Sequence, residues 1–157
     1  MTENPTVQAA FEKYYTLIYR VCLVWLKNPA DAEDAASDTF LRLLSDRKPF
    51  ESDEHLKAWL LVTARNVCRN HLAHWWRKKR VDMEQIGEME DAAQTIDETA
   101  QLLASLPLKE REAALLCFVL GYPGTQAAKL LGISENAVYL RLMKARKRLK
   151  LELEDSL

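Results

Sequence analysis

The chain has 157 residues, enough for one domain of ordinary size or two small ones. It is 48% hydrophobic and 29% charged with only four Gly, which excludes wholesale disorder and suits a helical globular protein. The net charge of −1 hides a segregation: residues 1–80 carry thirteen Lys/Arg against ten Asp/Glu, residues 81–106 seven acids and no base, and residues 107–157 nine bases against six acids. Two mildly basic blocks therefore flank an acidic connector.

The longest apolar run, Val21–Leu26, is far too short to cross a bilayer. The first residues lack the basic cap and apolar core of a signal peptide, so neither membrane insertion nor export is expected. Cys22, Cys68 and Cys117 are odd in number and far apart, which points to a reducing cytoplasm.

Val7, Phe11, Tyr14, Ile18, Cys22 and Trp25 recur at the spacing of an amphipathic helix that ends before Asn28-Pro29. A second helix is expected from Asp31, as N-cap with Glu33 and Asp34 in the first turn, to about Asp46. "RKPFESDE" reads as a loop. A third helix starts at Asp53 or Glu54 and carries "RNVCRNHLAHWWRKKR" over residues 65–80; no acid occurs from His55 through Val81. At 100° per residue, Leu56, Leu60, Ala64 and Val67 share an inward stripe that His71 and Trp75 continue. Trp59, Val62, Asn66, Arg69, Asn70 and Arg77 fall on another flank, and Trp76 lies beside Arg65 and Arg69. Trp59 and Trp75 read as core closers. Trp76 fits a core role equally with stacking on an unpaired base while Arg and Lys hold phosphate.

"VDMEQIGEMEDAAQ", residues 81–94, is acidic, has no sustained periodicity and reads as a linker. Helical patterning resumes with Ile96, Leu103 and Leu106 in one helix, then Lys109–Leu120, Thr125–Leu131 and Ser134–Leu151. No stretch alternates apolar and polar residues. The expected fold is all-α, with small helical domains at 1–80 and 95–157 joined by the linker.

Ala128, Gly132 and Val138 stand at the A-x3-G-x5-V spacing of a helix-turn-helix. The small Ala lets two helices cross closely, Gly132 supplies the positive φ of the turn, and Val138 anchors the second helix. Ser134 is its N-cap, and Val138, Leu142, Ala145 and Leu149 form its core stripe. Asn136, Leu140, Met143, Lys144 and Lys147 face away from that stripe, with Tyr139 and Arg141 at the edges and six bases within 141–150. This layout suits a recognition helix in a DNA major groove: early side chains at base edges, later cations on phosphates, Leu140 and Met143 against thymine methyls.

Taken together, "DAEDAASDTFLRLL", "LKAWLLVTARNVCRNHL", "LPLKEREAALL", "AAKLLGISENAVYLRL" and "KARKRLK" resemble the bacterial sigma-70 family of sigma factors, in its small two-domain extracytoplasmic-function group. The likeness covers nearly the whole chain. It implies a C-terminal domain that reads the −35 promoter element through Ser134, Asn136, Tyr139, Leu140, Arg141, Met143, Lys144 and Lys147. It implies an N-terminal domain that reads and opens the −10 element through Arg65, Asn66, Arg69, Asn70, Trp76 and Arg77. Phe50, Ser52 and His55 stand where the family captures a flipped base. Asp31, Glu33, Asp34, Asp38 and Phe40 then dock on the clamp region of the largest subunit of core RNA polymerase. For Asp31 and Glu33, compensation of the helix N-terminus is a competing role. Promoter DNA and core polymerase are the implied partners, and the resemblance also admits an anti-sigma factor. Tyr139 and Leu140 stand where Lys and Ser are common in the family, which predicts an unusual −35 preference.

Fourteen linker residues reach at most ~46 Å and each small domain adds roughly 10 Å. Elements two helical turns apart, ~70 Å, are bridged only by a nearly stretched connector.

Other classes fit less well. Gly87, Gly121, Gly124 and Gly132 form no phosphate-binding fingerprint, and no nucleophile–base or paired-carboxylate constellation stands out, so no enzyme and no cofactor is expected. Cys68, His71 and His74 drift about 60° per step around a helix and have no fourth partner, so no metal is expected either. The alternative is a stand-alone helix-turn-helix regulator that never engages polymerase, for which the Trp/Arg helix of the N-terminal half would have no use.

Overall fold

Asn28-Pro29 sets the first corner of the chain. Lys27 closes α1 (Val7–Leu26) with a left-handed φ of 59° and an N–H bonded to the Leu23 carbonyl at 2.8 Å. Pro29 opens α2 (Pro29–Asp46), where its fixed φ suits the first helical position and its missing N–H is no loss. The cap is Asn28 rather than Asp31: Asn28 Oδ1 accepts the Asp31 N–H at 3.0 Å. Asp31 instead occupies the first turn, where its charge complements the helix dipole. Ser52 caps α3 (Asp53–Lys79), its Oγ accepting the His55 N–H at 3.1 Å.

The computed structural model describes residues 7–46, 49–79 and 98–155. Among these every regular element is helical, so the all-α expectation holds. The chain divides into two compact units, Met1–Thr95 and Ile96–Leu157. The acidic linker at 81–94 lies outside the described residues.

In the first unit α1, α2 and α3 pack mutually. Ile18, Val21, Cys22 and Trp25 of α1 are buried, as are Leu56, Leu60, Ala64 and Val67, the anticipated stripe of α3. Leu61 and Cys68 form a second buried row on α3, because that helix is covered by two neighbours and not one. The buried face of α2 is built largely from small residues, Ala32, Ala35, Ala36 and Thr39, which lets it lie close to the others. Thr39 donates its hydroxyl to the Ala35 carbonyl at 2.8 Å, so its burial leaves no orphaned donor.

One polar link fastens α1 to the start of α3. The Tyr14 hydroxyl and the Lys13 ammonium (2.9 Å) both donate to Asp53 Oδ2. Those hydrogen bonds, Tyr14 first, hold the Asp53 carboxyl below its ordinary range. A depressed folded-state pKa means stability that is full above the unfolded value of about 4 and lost as pH falls through the folded one. Denaturant titrations from about pH 5 to 3 should therefore show wild type losing more stability than Asp53→Asn; parallel losses would refute the link.

The second unit contains α4 (Glu98–Ala104), α5 (Leu108–Ala114), a π-helical turn (Leu115–Val119), α6 (Gly124–Leu131) and α7 (Glu135–Asp155). Leu103 and Leu106 are buried as expected, whereas Ile96 lies outside the described residues. The single helix expected through Leu120 is interrupted. The Leu120 N–H reaches five residues back to the Leu115 carbonyl at 3.0 Å. The wider turn keeps Leu115 and Leu116 inside and leaves Phe118 and Val119 exposed.

Gly132 ends α6 in the left-handed region, φ 68° and ψ 34°, with the Ile133 N–H bonded to the Ala128 carbonyl at 3.0 Å. An added Cβ would meet nothing within 4 Å, so a substitution here costs backbone conformation alone. Gly132→Ala should destabilise the unit by about 1–2 kcal/mol, and Gly132→Asn by less, because Asn tolerates this region. Urea unfolding followed by helical circular dichroism reads the difference. An Ala variant as stable as wild type would show that the turn does not need glycine.

Candidate functional site

Three surfaces hold the residues singled out from sequence. The first is α7. Leu116, Ala127, Ala128, Leu131 and Val138 form one core cluster, against which Leu142 packs, and Ala145 is also buried. This core fixes which side of α7 faces outward. Ser134 Oγ accepts the Ala137 N–H at 3.1 Å, the anticipated cap. Asn136, Tyr139, Leu140, Met143, Lys144 and Lys147 are all exposed, and Arg141 is half-buried at the edge. Tyr139, Leu140 and Met143 leave 62%, 51% and 50% of their surface in solvent, an apolar display a solvated helix face has no reason to keep.

The second surface is the flank of α3 with the loop before it. Asn66, Arg69 and Arg77 are exposed and Arg65 is half-buried. The side chains of Trp75 and Trp76 lie outside the described residues. Asn70 is exposed too, but it lines a groove at the α2–α3 seam with Asp38, Arg42, Val67, His71 and His74, so it serves a different edge from Arg69. In the loop, the Phe50 ring stands edge-on to His55 (5.3 Å) and Trp59 (5.8 Å). Trp59, half-buried, thus props Phe50. The Glu51 N–H donates to His55 Nδ1 at 3.2 Å, so a neutral His55 carries its proton on Nε2. Ser52 and His55 already hold the loop in shape; Phe50 and the His55 Nε2–H are the groups left to meet a ligand.

The third surface is α2. Glu33, Asp34 and Asp38 are exposed and Asp31 half-exposed. Asp38 approaches His71 Nε2 at 3.7 Å. Phe40 is a correction: it is 4% exposed, its ring edge-on to Phe11 at 5.2 Å, so it supports α2 from beneath and does not form a contact surface. The apolar groups on the outer face are instead Leu41 and Leu44, 58% and 52% exposed. Placing α2 at 100° per residue finds them: Leu41 falls about 20° from Asp34 and about 60° from Asp38, opposite the Ala32–Ala36–Thr39 face.

Among the described residues no three His, Cys, Asp or Glu converge as a metal site. Cys68 is buried in the core while His74 is exposed, so the Cys68/His71/His74 spacing does not become a cluster. Among the same residues no helix is long and apolar enough to cross a membrane.

The family model described as Sigma-70 region 2 matches residues 10–78, and that described as Sigma-70, region 4 matches residues 96–149. The ECF RNA polymerase sigma factor SigM of Mycobacterium tuberculosis is 26% identical over 148 residues, which cover 88% of this chain and 72% of that protein. SigX of Bacillus subtilis, likewise an ECF RNA polymerase sigma factor, is 26% identical over 151 residues, covering 85% and 76%. Among solved structures, the sigma factor RpoE of Bartonella quintana, in complex with the anti-sigma factor NepR, shares the fold with a TM-score of 0.76 at 20% identity, over 94% of this chain and 96% of that one. CnrH, in complex with the cytosolic domain of CnrY, gives a TM-score of 0.66 at 23% identity, over 96% and 89%. With region 2 on the three-helix unit and region 4 on the helix-turn-helix unit, the chain belongs to the sigma-70 family of RNA polymerase sigma factors, in its extracytoplasmic-function group.

Proposed function

We propose that this chain is a cytoplasmic, non-catalytic initiation factor that docks on core RNA polymerase and directs it to promoters. The observation that carries this reading is the pairing of region 2 and region 4 in one chain. In this reading α7 enters the major groove of the −35 element, with Asn136, Tyr139, Leu140 and Met143 toward base edges and Arg141, Lys144 and Lys147 toward phosphates. Arg65, Asn66, Arg69 and Arg77 hold the backbone of the opened −10 strand, Trp76 stacks on a base, and Phe50 with the His55 Nε2–H receives another.

Energetics make the partner necessary. Opening about ten base pairs costs on the order of 14 kcal/mol at ~1.4 kcal/mol per step. Trapping two bases returns only about 2–6 kcal/mol. The remainder comes from polymerase, docked on the acidic face of α2 around Leu41 and Leu44. A stand-alone regulator would have no use for that face or for the α3 flank. An anti-sigma protein is a further expected partner, since relatives of the same fold are held by NepR and CnrY.

Transcription in vitro from a genomic DNA library, with core polymerase and with or without this protein, tests the proposal. New start sites preceded by a shared pair of upstream elements are expected. No association with core enzyme and no new transcripts would refute it.

A further inference from the structure

A helix seated in the major groove has a sugar–phosphate strand along each flank, so phosphate-binding cations are needed on both sides of its base-reading face. At 100° per residue, Asn136, Met143 and Lys147 lie near the middle of the outer face of α7. Lys144 and Arg148 fall on one flank; Arg146 and Lys150 fall on the other. The residues assigned to phosphate so far, Arg141, Lys144 and Lys147, leave that second flank unused.

Arg146 is held there by an aromatic ring. Its guanidinium lies over Phe118, 5.2 Å from the ring centroid. Phe118 is 40% exposed and belongs to the π-helical turn that replaces the expected regular helix. A guanidinium attracted to a ring face is restricted in position while its planar fork can still donate two hydrogen bonds to one anion. A lysine at this position would carry the charge but not the planar fork. The π turn thus has a use: it brings a ring out of the core to the side of α7 where a cation needs orienting.

We propose that Arg146 binds a backbone phosphate of duplex DNA on the flank opposite Lys144, and that Phe118 is the positioning residue that presents it. This rests on the DNA-reading role proposed for α7. The test is the salt dependence of binding of the full chain to a duplex of mixed sequence, between about 50 and 200 mM salt, because each phosphate neutralised adds about 0.9 to the slope of log affinity against log salt. Arg146→Gln should lower the slope by about that amount, as should Lys144→Gln, whereas Arg146→Lys keeps the slope. Phe118→Leu should weaken binding about two- to fivefold in the wild-type background and not at all in the Arg146→Gln background, and Phe118→Tyr should bind as wild type.

If Lys144→Gln lowers the slope and Arg146→Gln does not, the phosphate role of Arg146 is wrong while the reading of α7 stands. If neither variant moves it, both fail. Equal losses for Phe118→Leu in the two backgrounds would show that Phe118 acts on the fold and does not present Arg146.

Discussion

Leu41→Ala should weaken association with core RNA polymerase by about 2 kcal/mol, roughly thirtyfold, while its own unfolding transition stays where it is. The second half of that expectation follows from burial. Leu41 is 58% exposed in the free chain, and truncating such a side chain changes stability by no more than about 0.5 kcal/mol. The first half follows from its surroundings. Leu41 has Asp34 and Asp38 to one side of it on the helix surface and Leu44 to the other, while the opposite face of the helix is closed by alanines. An apolar centre with a charged rim is the anatomy of a docking patch: the centre supplies affinity, the rim supplies steering. Asp34→Asn should accordingly lower the association rate and its salt sensitivity more than it raises the dissociation rate. Competition binding against a labelled sigma factor measures both. A Leu41→Ala protein that binds core enzyme like wild type would remove α2 from the interface.

The same helix shows where sequence stops being legible. Its acidic residues announce a charged surface, and the family resemblance places Phe40 among them on that surface. Phe40 and Leu43 are buried; Leu41 and Leu44 are not. The reason is the spacing: at 100° per residue Phe40 falls beside Ala36 on the inward side, whereas Leu41 falls opposite the Ala32–Ala36–Thr39 face. In α3 the buried face is wider than the expected stripe. Leu56, Leu60, Ala64 and Val67 are readable as one stripe, but Leu61 and Cys68 are also buried, since periodicity identifies one packed face and cannot count how many helices a segment meets.

The helix-turn-helix was the most legible part because its geometry is forced locally. A tight corner between α6 and α7 requires a positive φ, which names Gly132, and the first turn of α7 requires an acceptor, which names Ser134. Two features had no sequence signal of this strength. The π turn of Leu115–Val119 differs from regular helix by one residue of registry, and "LLCFV" contains no breaker to announce it. Three acids follow Asn28 closely and draw the cap assignment to Asp31, yet an Asn directly before Pro is in the position from which a side-chain oxygen reaches the N–H two residues beyond the proline.

Arg69→Ala should leave polymerase association and duplex binding intact and reduce the open complex about tenfold. Arg69 is exposed on the α3 flank beside Asn66, so its removal disturbs no packing. Its size of effect comes from balance. Opening costs on the order of 14 kcal/mol, and the complex that performs it recovers a similar amount, so the closed and open states differ by little. Near such a balance the loss of one charge-assisted phosphate contact, about 1.4 kcal/mol, moves the ratio by a factor of about ten. The same loss at Lys144, on the helix proposed to read duplex DNA, acts before opening and should lower occupancy of closed and open states together. Permanganate reactivity of thymines in the −10 region separates the two cases: Arg69→Ala should lose reactivity at saturating protein, whereas Lys144→Ala should recover it when protein is raised. Trp76→Ala should behave as Arg69→Ala does, through about 1–3 kcal/mol of lost stacking. Unchanged reactivity in Arg69→Ala would mean that this flank of α3 does not touch the opened strand.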